Sequence, residues 1–328
     1  MTALLLAVSF ALIVAGAELF TNAVEWLGHR LNLGQGAVGS LLAAVGTALP
    51  ESTIPIVAVL AGAEGEDVAI GAIVGAPFML ATVAMLLVAS SALVFEKRRD
   101  QGREIAVERG DVRRDFAFFL PTFAAAIALG QVDSKVVHYV GAAVLVLIYA
   151  IYVRRTVKGS SGAESEDELK PLRFDLSKDD PPNTFQIVLQ LVVALAFIIG
   201  GAELFVEELK KVSESIGVST LVLALIVAPL ATELPEKLNS VIWMRHGKDM
   251  LAIGNITGAM AFQATVPVAL GLTLTNWELD KFATAAGVLG LAGGALALWR
   301  LEVGRMGLPA ALAWAALFLA LVAFVIVG

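Results

Sequence analysis

The sequence predicts an all-α membrane protein of ten transmembrane helices, arranged as two inverted repeats of five helices each. Apolar residues make up 58% of the chain and the mean hydropathy is +0.82, as in proteins that cross a bilayer several times. In addition, one stretch occurs twice, since residues 43–53 read AAVGTALPEST and residues 228–238 read APLATELPEKL. An internal repeat of this kind indicates a duplicated architecture.

Apolar runs of about 20 residues define the predicted spans. Their expected limits are 3–28, 36–61, 67–95, 115–130, 135–154, 185–209, 217–244, 249–274, 281–299 and 308–327. The first run starts almost at the N-terminus without a basic leader, so we expect a span and not a cleaved signal peptide. The charged, Pro/Gly/Ser-rich stretch 155–184 predicts a solvated linker between a first repeat (1–154) and a second repeat (185–328).

The distribution of Lys and Arg predicts the orientation of the chain. These residues concentrate in the segment after the third span and in the central linker, which places both in the cytoplasm. With five spans in each half, both termini are then outside and the two similar halves cross the membrane in opposite directions. Such an inverted repeat brings related residues together near mid-membrane. The expected location is the cell membrane, plasma or inner.

Glu51 and Glu236 lie at the centre of the repeated stretch, within long apolar runs. An isolated carboxylate at the middle of a membrane helix costs about 3 kcal/mol, so a carboxylate kept there is a functional-site hypothesis. Each one directly follows a proline, Pro50 or Pro235. A proline has no N–H and leaves the carbonyl four residues earlier without its helical donor.

Further oxygen atoms accompany each carboxylate. A threonine precedes each glutamate by four residues, which puts hydroxyl and carboxylate on one helical face. The residues that contribute a freed carbonyl or a hydroxyl are Gly46, Thr47, Ala231 and Thr232. A cage of oxygens suits hard cations, and Ca²⁺ takes about six to eight of them. The same ligands would also serve Mn²⁺ or Mg²⁺.

The repeated stretch resembles the calcium/cation antiporter superfamily, whose sodium/calcium exchangers carry a G-T-S-L-P-E motif in each of two inverted repeats. Residues 46–51 match five of the six positions, and residues 231–236 match the Thr, Leu, Pro and Glu. The likeness covers both repeats and the ten-helix layout. It implies that Glu51 and Glu236, helped by the threonines, bind the transported cations while the first and sixth spans slide to give alternating access.

The third and eighth spans depart from the family motif. Where the family has G-S-N-x-x-[N/D], residues 75–80 read GAPFML and residues 258–263 read GAMAFQ. A polar ligand is therefore replaced by Leu80. Gln263 keeps one oxygen and is similar to the glutamine of the proton/calcium branch. Fewer oxygens predict that fewer sodium ions are bound at once.

The second copy also carries Glu233 and Lys237, where relatives have small or apolar residues. Their spacing of four residues on one helix permits an ion pair. One hypothesis is that Lys237 is a tethered cation beside the site, which neutralises Glu233 and fills charge space that a sodium ion fills in relatives. The alternative is that the pair lies toward the cytoplasmic end of the span, where Lys237 extends to water.

Other polar residues within the spans are less informative. Glu18 and Glu203 lie in the first and sixth spans, where they could line an ion path, but we favour hydrogen bonds to neighbouring helices. Asn22 leaves the same two alternatives open. The three histidines have no second ligand at metal spacing.

Together these features predict a secondary antiporter that exports Ca²⁺ in exchange for Na⁺, with no cofactor and with cations and the lipid bilayer as its partners. Leu80, Gln263 and Lys237 keep exchange against H⁺ open as the alternative. A passive cation channel is disfavoured, because paired acids in inverted repeats imply alternating access. An enzyme is disfavoured because the sequence has no nucleophile and base pair and no nucleotide motif. Cysteine is absent, which excludes disulfides and thiolate sites, and nothing indicates nucleic-acid binding.

Overall fold

The computed structural model describes residues 1–30, 43–60, 63–159, 171–174 and 182–327. These residues are mostly helical, with one isolated β-bridge between Glu104 and Arg305. The α-helices are α1 (Thr2–Arg30), α2 (Ala43–Leu60), α3 (Ala63–Met79), α4 (Met85–Val94), α5 (Arg109–Leu129), α6 (Lys135–Gly159), α7 (Thr184–Ile216), α8 (Thr220–Arg245), α9 (Asp249–Gln263), α10 (Val266–Leu274), α11 (Lys281–Val303) and α12 (Leu308–Val327). A π-helix, Leu80–Ala84, joins α3 to α4, and a short 3₁₀-helix, Glu96–Arg98, follows α4.

Seven segments among the described residues are long and apolar enough to cross a membrane. They are Thr2–Val24, Gly65–Val94, Lys135–Thr156, Thr184–Ile216, Asp249–Leu274, Lys281–Val303 and Leu308–Val327. All seven coincide with predicted spans, which confirms an all-α membrane architecture. The other three predicted spans correspond to α2, α5 and α8. Residues 36–42 and 61 of the first of these spans lie outside the described residues, and α5 and α8 are helical but carry several charges. The count of ten spans and the inverted repeat therefore stay predictions.

Two of the predicted spans change their helical path near the middle. α3 passes into the π-helix at Leu80, and α9 ends at Gln263 before α10 begins. Pro77 and Pro267 lie close to these two points, and a proline removes a backbone donor from the helix. Leu80 and Gln263 thus lie at interruptions in the third and eighth spans. Interrupted helices with backbone groups available to ligands are common at transporter sites.

Helices α1 and α7 cross closely at two glycines of the repeated sequence. A methyl group on Gly16 would lie 2.7 Å from Ile198 Cγ1, and one on Gly201 would lie 2.9 Å from Ile13 Cγ1. A separation of 185 residues relates Gly16 to Gly201 and Ile13 to Ile198. The two contacts are therefore reciprocal and run in opposite directions, so the helices are antiparallel and meet as two-fold related surfaces do.

Replacing Gly201 by valine is expected to destabilise this crossing, because the added methyl groups would overlap α1. Overpacking of this kind costs about 1–3 kcal/mol, and it should lower the midpoint of thermal unfolding in detergent. The matched control is valine at Gly200, where an added methyl group would meet no described atom within 4 Å. Equal losses in the two variants would contradict the close crossing.

The described parts of the predicted linker include residues 155–159 and 171–174. α6 extends to Gly159, beyond the predicted limit at residue 154. Farther along, Leu172 is only 4% exposed and packs in a cluster with Trp26 of α1 and Ile187 of α7. Part of the linker therefore lies between the two crossing helices, although the division into two repeats at this point stays a prediction.

Polar side chains of α1 and α7 hold the same linker segment, residues 171–174. The backbone N–H of Arg173 donates to Asn22 Oδ1 at 3.2 Å, and that of Phe174 donates to Gln190 Oε1 at 2.9 Å. Gln190 Nε2 also donates to Asn22 Oδ1 at 3.0 Å. The carboxylate of Glu18 pairs with the Arg173 guanidinium at 2.9 Å, and both side chains are exposed. Asn22 and Glu18 therefore make structural contacts with the linker.

Candidate cation site

The middle of α8 buries a set of polar side chains. Thr232, Glu233 and Lys237 are each no more than 6% exposed. The Thr232 hydroxyl donates to the Ala228 carbonyl at 3.2 Å, which leaves its oxygen lone pairs available. Helical periodicity puts residue 236 one turn after Thr232 on the same face, with Glu233 and Lys237 on the adjoining face. The sequence motif and the charged pair therefore lie side by side on one helix.

Glu233 and Lys237 form the ion pair that their spacing predicts. Lys237 Nζ lies 3.5 Å from Glu233 Oε2, and their side chains are 2% and 4% exposed. The alternative in which Lys237 extends to water is therefore wrong. Gln263 at the end of α9 donates from Nε2 to Glu233 Oε1 at 3.1 Å. Glu233, Lys237 and Gln263, called the charged cluster below, thus join the motif helix to the interruption in the eighth span.

Two oxygens of the charged cluster accept no hydrogen bond from the described residues. They are Gln263 Oε1 and Glu233 Oε2, which are both buried, and the second has the Lys237 ammonium beside it at 3.5 Å. A buried acceptor without a donor is costly unless another partner satisfies it. A carboxylate and an amide oxygen are also the ligand types that hard cations prefer. The arrangement therefore fits cation coordination.

Leu80 forms an apolar wall beside the charged pair. A narrow cavity next to Glu233 and Lys237 is lined by Pro229 and by apolar side chains of the π-helix, including Leu80 and Val83. Leu80 itself is fully buried. The substitution of a polar ligand by leucine therefore lies against the charged cluster, so the two departures from the motif adjoin each other.

The repeat-related glycines of α3 and α9 differ in their packing. A methyl group on Gly75 would overlap the Leu225 carbonyl of α8, and one on Gly71 would also collide with α8. A separation of 183 residues relates these positions to Gly254 and Gly258 of α9. Methyl groups at the latter two would meet no described atom within 4 Å. α3 is thus closely packed on α8, whereas no described residue packs against this face of α9.

Five of the predicted ligands have side chains outside what the structure describes. Gly46, Thr47 and Glu51 lie on α2, and Ala231 and Glu236 lie on α8. α2 packs against α1, α3, α7 and α8, so the two motif helices are in contact. The pairing of Glu51 with Glu236 stays a prediction. No group of three His, Asp or Glu that could hold a metal occurs among the described side chains.

A family model described as sodium/calcium exchanger protein matches residues 1–157 and 186–327. The chain belongs to this family. The family consists of transporters and not enzymes, so the chain is an integral membrane exchanger of Ca²⁺ and other cations. The resemblance read from the two motifs is thereby confirmed. Residues 158–185, which the match leaves out, nearly coincide with the predicted linker.

Relatives and solved structures agree with this assignment. CaxA of Alkalimonas amylolytica is 26% identical over 311 residues, which cover 91% of this exchanger and 89% of the relative. The inner membrane protein YrbG of Escherichia coli strain K12 is 25% identical over 284 residues, covering 85% and 82%.

Two solved exchanger structures share the fold. The crystal structure of the H⁺/Ca²⁺ exchanger CAX superposes with a TM-score of 0.74 at 21% identity, covering 100% of this chain and 82% of that one. The sodium-calcium exchanger NCX_Mj gives a TM-score of 0.59 at 20% identity, covering 98% and 99%. At these identities the likeness concerns the fold alone.

A buried ion pair fixes the turn between α8 and α9 of the exchanger. Arg99 and Asp249 lie 2.8 Å apart, and neither side chain has exposed surface. Arg99 also donates to the carbonyls of Met244, Glu104 and Gly102 at 2.7, 2.8 and 2.9 Å. The end of the motif helix is therefore anchored to the segment that follows α4. Sequence reasoning counted Arg99 only as a loop charge and did not find this contact.

Asp115 anchors the middle of α9. Its Oδ2 accepts a hydrogen bond from Thr257 at 2.7 Å, and its Oδ1 accepts from the Tyr152 hydroxyl at 2.9 Å and from Arg114 at 3.1 Å. Three helices, α5, α6 and α9, thus meet at one carboxylate. Sequence reasoning did not pair Thr257 with Asp115, because nothing in the sequence around either residue indicates the other.

Proposed function

We propose that this exchanger expels Ca²⁺ from the cytoplasm in exchange for Na⁺ by alternating access. The observation that carries the proposal is the charged cluster, buried where two spans are interrupted and directly beside the motif residues of α8. Charged groups buried within membrane spans mark ion pathways, because their desolvation is costly. Both termini are proposed to lie outside the cell membrane.

The proposed ligand set surrounds Glu51 and Glu236. The hydroxyls of Thr47 and Thr232 and the proline-freed carbonyls of Gly46 and Ala231 supply four further oxygens. Gln263 Oε1 adds a buried acceptor that lacks a donor among the described residues, and Glu233 Oε2, which also faces the Lys237 ammonium at 3.5 Å, is the last proposed ligand. These oxygen atoms could complete the coordination of Ca²⁺. The cations are cargo, and the proposed mechanism requires no cofactor.

Two packing features support alternating access. The α1 and α7 contacts are reciprocal about the glycines, as expected for inverted repeats. In contrast, α3 is closely packed on α8, while no described residue packs against the equivalent face of α9. Halves that are related in sequence but packed differently fit a transporter in one of two exchanging states.

Exchange against H⁺ is the second candidate function. It is favoured by the apolar wall at Leu80 and by Gln263, because each removes an oxygen or a charge that would help to bind Na⁺. The retained T-x-L-P-E motifs favour Na⁺. A transport measurement is therefore needed to decide between Na⁺ and H⁺ as the counter-ion.

Uptake of radioactive Ca²⁺ into proteoliposomes distinguishes the two counter-ions. We expect vesicles loaded with Na⁺ and diluted into choline to take up Ca²⁺, with the membrane potential clamped at zero by K⁺ and valinomycin. A pH gradient alone is expected to drive no uptake. Uptake driven only by the pH gradient would establish the second candidate instead. If neither gradient drives Ca²⁺, Mn²⁺ or Mg²⁺, the proposed function is wrong.

A further inference from the structure

The charged cluster contributes no net charge to the proposed site. Glu233 and Lys237 are oppositely charged, 3.5 Å apart and almost completely buried. Gln263, the third member, is neutral and hydrogen-bonded to Glu233. The positions one repeat earlier, 185 residues back, are Ala48 and Ser52, so the pair has no charged counterpart in the first copy. The fixed charge of the proposed site therefore reduces to that of Glu51 and Glu236.

The structure also keeps the ammonium of Lys237 in place. Lys237 and Glu233 share one face of α8, one turn apart, and the apolar wall containing Leu80 and Val83 adjoins them. Moving either charge away from the other in this surrounding would leave a buried charge without compensation, which is strongly unfavourable. The pair therefore remains together while mobile ions bind and leave.

We propose that the Glu233–Lys237 pair makes the exchange electroneutral, with two monovalent counter-ions for each Ca²⁺. This inference rests on the proposed function and extends it to stoichiometry. Burial in a low dielectric favours site occupancies that neutralise the fixed charge. Two carboxylates are balanced by one Ca²⁺ or by two monovalent cations, so no net charge crosses the membrane in a full cycle. A third unpaired carboxylate would require a third monovalent ion.

The test compares Ca²⁺ uptake at imposed membrane potentials of opposite sign, set by K⁺ gradients with valinomycin. The effective ion gradient, Na⁺ or pH, is the same in every sample. We expect the initial rate for the wild-type exchanger to be equal at both potentials. At equilibrium, the Ca²⁺ accumulation ratio should follow the square of the counter-ion ratio. A rate that changes with potential, or a ratio that follows the cube, would overturn the inference.

Two variants test whether the Glu233–Lys237 pair is responsible for electroneutral exchange. Lys237→Met leaves Glu233 uncompensated and is expected to make uptake sensitive to potential. The double variant Glu233→Gln with Lys237→Met removes both charges and is expected to transport more slowly but again independently of potential. Potential-independent uptake by Lys237→Met would contradict the role of the pair. The wild-type measurement decides the stoichiometry by itself. The inference can therefore be refuted even if one of the variants fails to fold.

Different results would contradict the proposed Ca²⁺ exchange and the electroneutral stoichiometry. Absence of Ca²⁺ uptake under every gradient would refute the proposed function. Gradient-driven uptake that responds to the membrane potential would leave the proposed function intact and refute electroneutrality alone.

Discussion

Exchange by the Glu236→Gln variant is expected to fall more than about 100-fold below the wild-type rate, since even residues that only support a metal ligand change affinity by about 10–100-fold. Glutamine preserves the size of the side chain and one oxygen but removes the charge. Because Lys237 compensates the charge of Glu233, Glu51 would then be the single uncompensated carboxylate facing a divalent ion. Glu51→Gln should give the same loss, since Glu51 is the counterpart of Glu236 in the other copy.

The measurement is gradient-driven uptake of Ca²⁺ into proteoliposomes, together with Ca²⁺ binding to the purified protein by calorimetry. The matched control is Glu207→Gln, the same chemical change at an exposed residue of α7 that pairs with Lys211 at 2.7 Å. This control should exchange Ca²⁺ at the wild-type rate. Normal exchange by Glu236→Gln would place the cation site elsewhere in the protein.

Replacing Arg99 by methionine is expected to lower the free energy of unfolding by about 3–5 kcal/mol, the usual effect of removing one partner of a buried ion pair. Methionine keeps much of the side-chain volume but leaves Asp249 charged and fully buried. Asp249 Oδ1 already has no hydrogen-bond partner among the described residues. The carbonyls of Met244, Glu104 and Gly102 also lose the hydrogen bond that each accepts from Arg99.

An SDS titration in mixed micelles, followed by circular dichroism, measures this loss of stability. Arg103→Met is the matched control, because Arg103 pairs with Glu96 at 2.7 Å while both side chains are more than 40% exposed. Exposed pairs contribute at most about 1 kcal/mol, so the control should unfold close to the wild-type midpoint. Similar losses in both variants would show that burial of the Arg99 pair is energetically unimportant.

Local patterns predicted the central features of this exchanger. Hydropathy sufficed for the all-α membrane class, because membrane spans depend on the composition of short windows. The ten spans and the inverted repeat stay predictions. The Glu233–Lys237 pair was predictable because residues four apart on a helix are neighbours whatever the tertiary structure. The proximity of Leu80 and Gln263 to the Glu233–Lys237 pair agrees with the resemblance, which puts both residues at positions of the family motif.

Contacts between distant segments were beyond such reasoning. Thr257 and Asp115 are 142 residues apart, and neither side chain indicates its partner through its own surroundings. Likewise, Arg99 belongs to the basic segment from which the orientation was predicted, yet its side chain is fully buried and paired with Asp249. Hydropathy and charge depend on the type of each residue and contain no information about its tertiary contacts.

The linker illustrates the same limit, since its polar composition predicts solvent exposure whereas Leu172 is buried. That burial depends on α1 and α7 being side by side, and on Asn22 and Gln190 presenting their amide groups to backbone N–H donors. A segment with little hydrophobic surface can thus be ordered by a surface formed from two other parts of the chain.

Residues 171–174 bridge α1 and α7, the first helices of the two predicted repeats. They do so through the packing of Leu172 and through hydrogen bonds to Asn22 and Gln190. The same two helices are locked to each other at Gly16 and Gly201. Sliding of α1 against α7 would have to break both sets of contacts, so the two helices are expected to move as one unit.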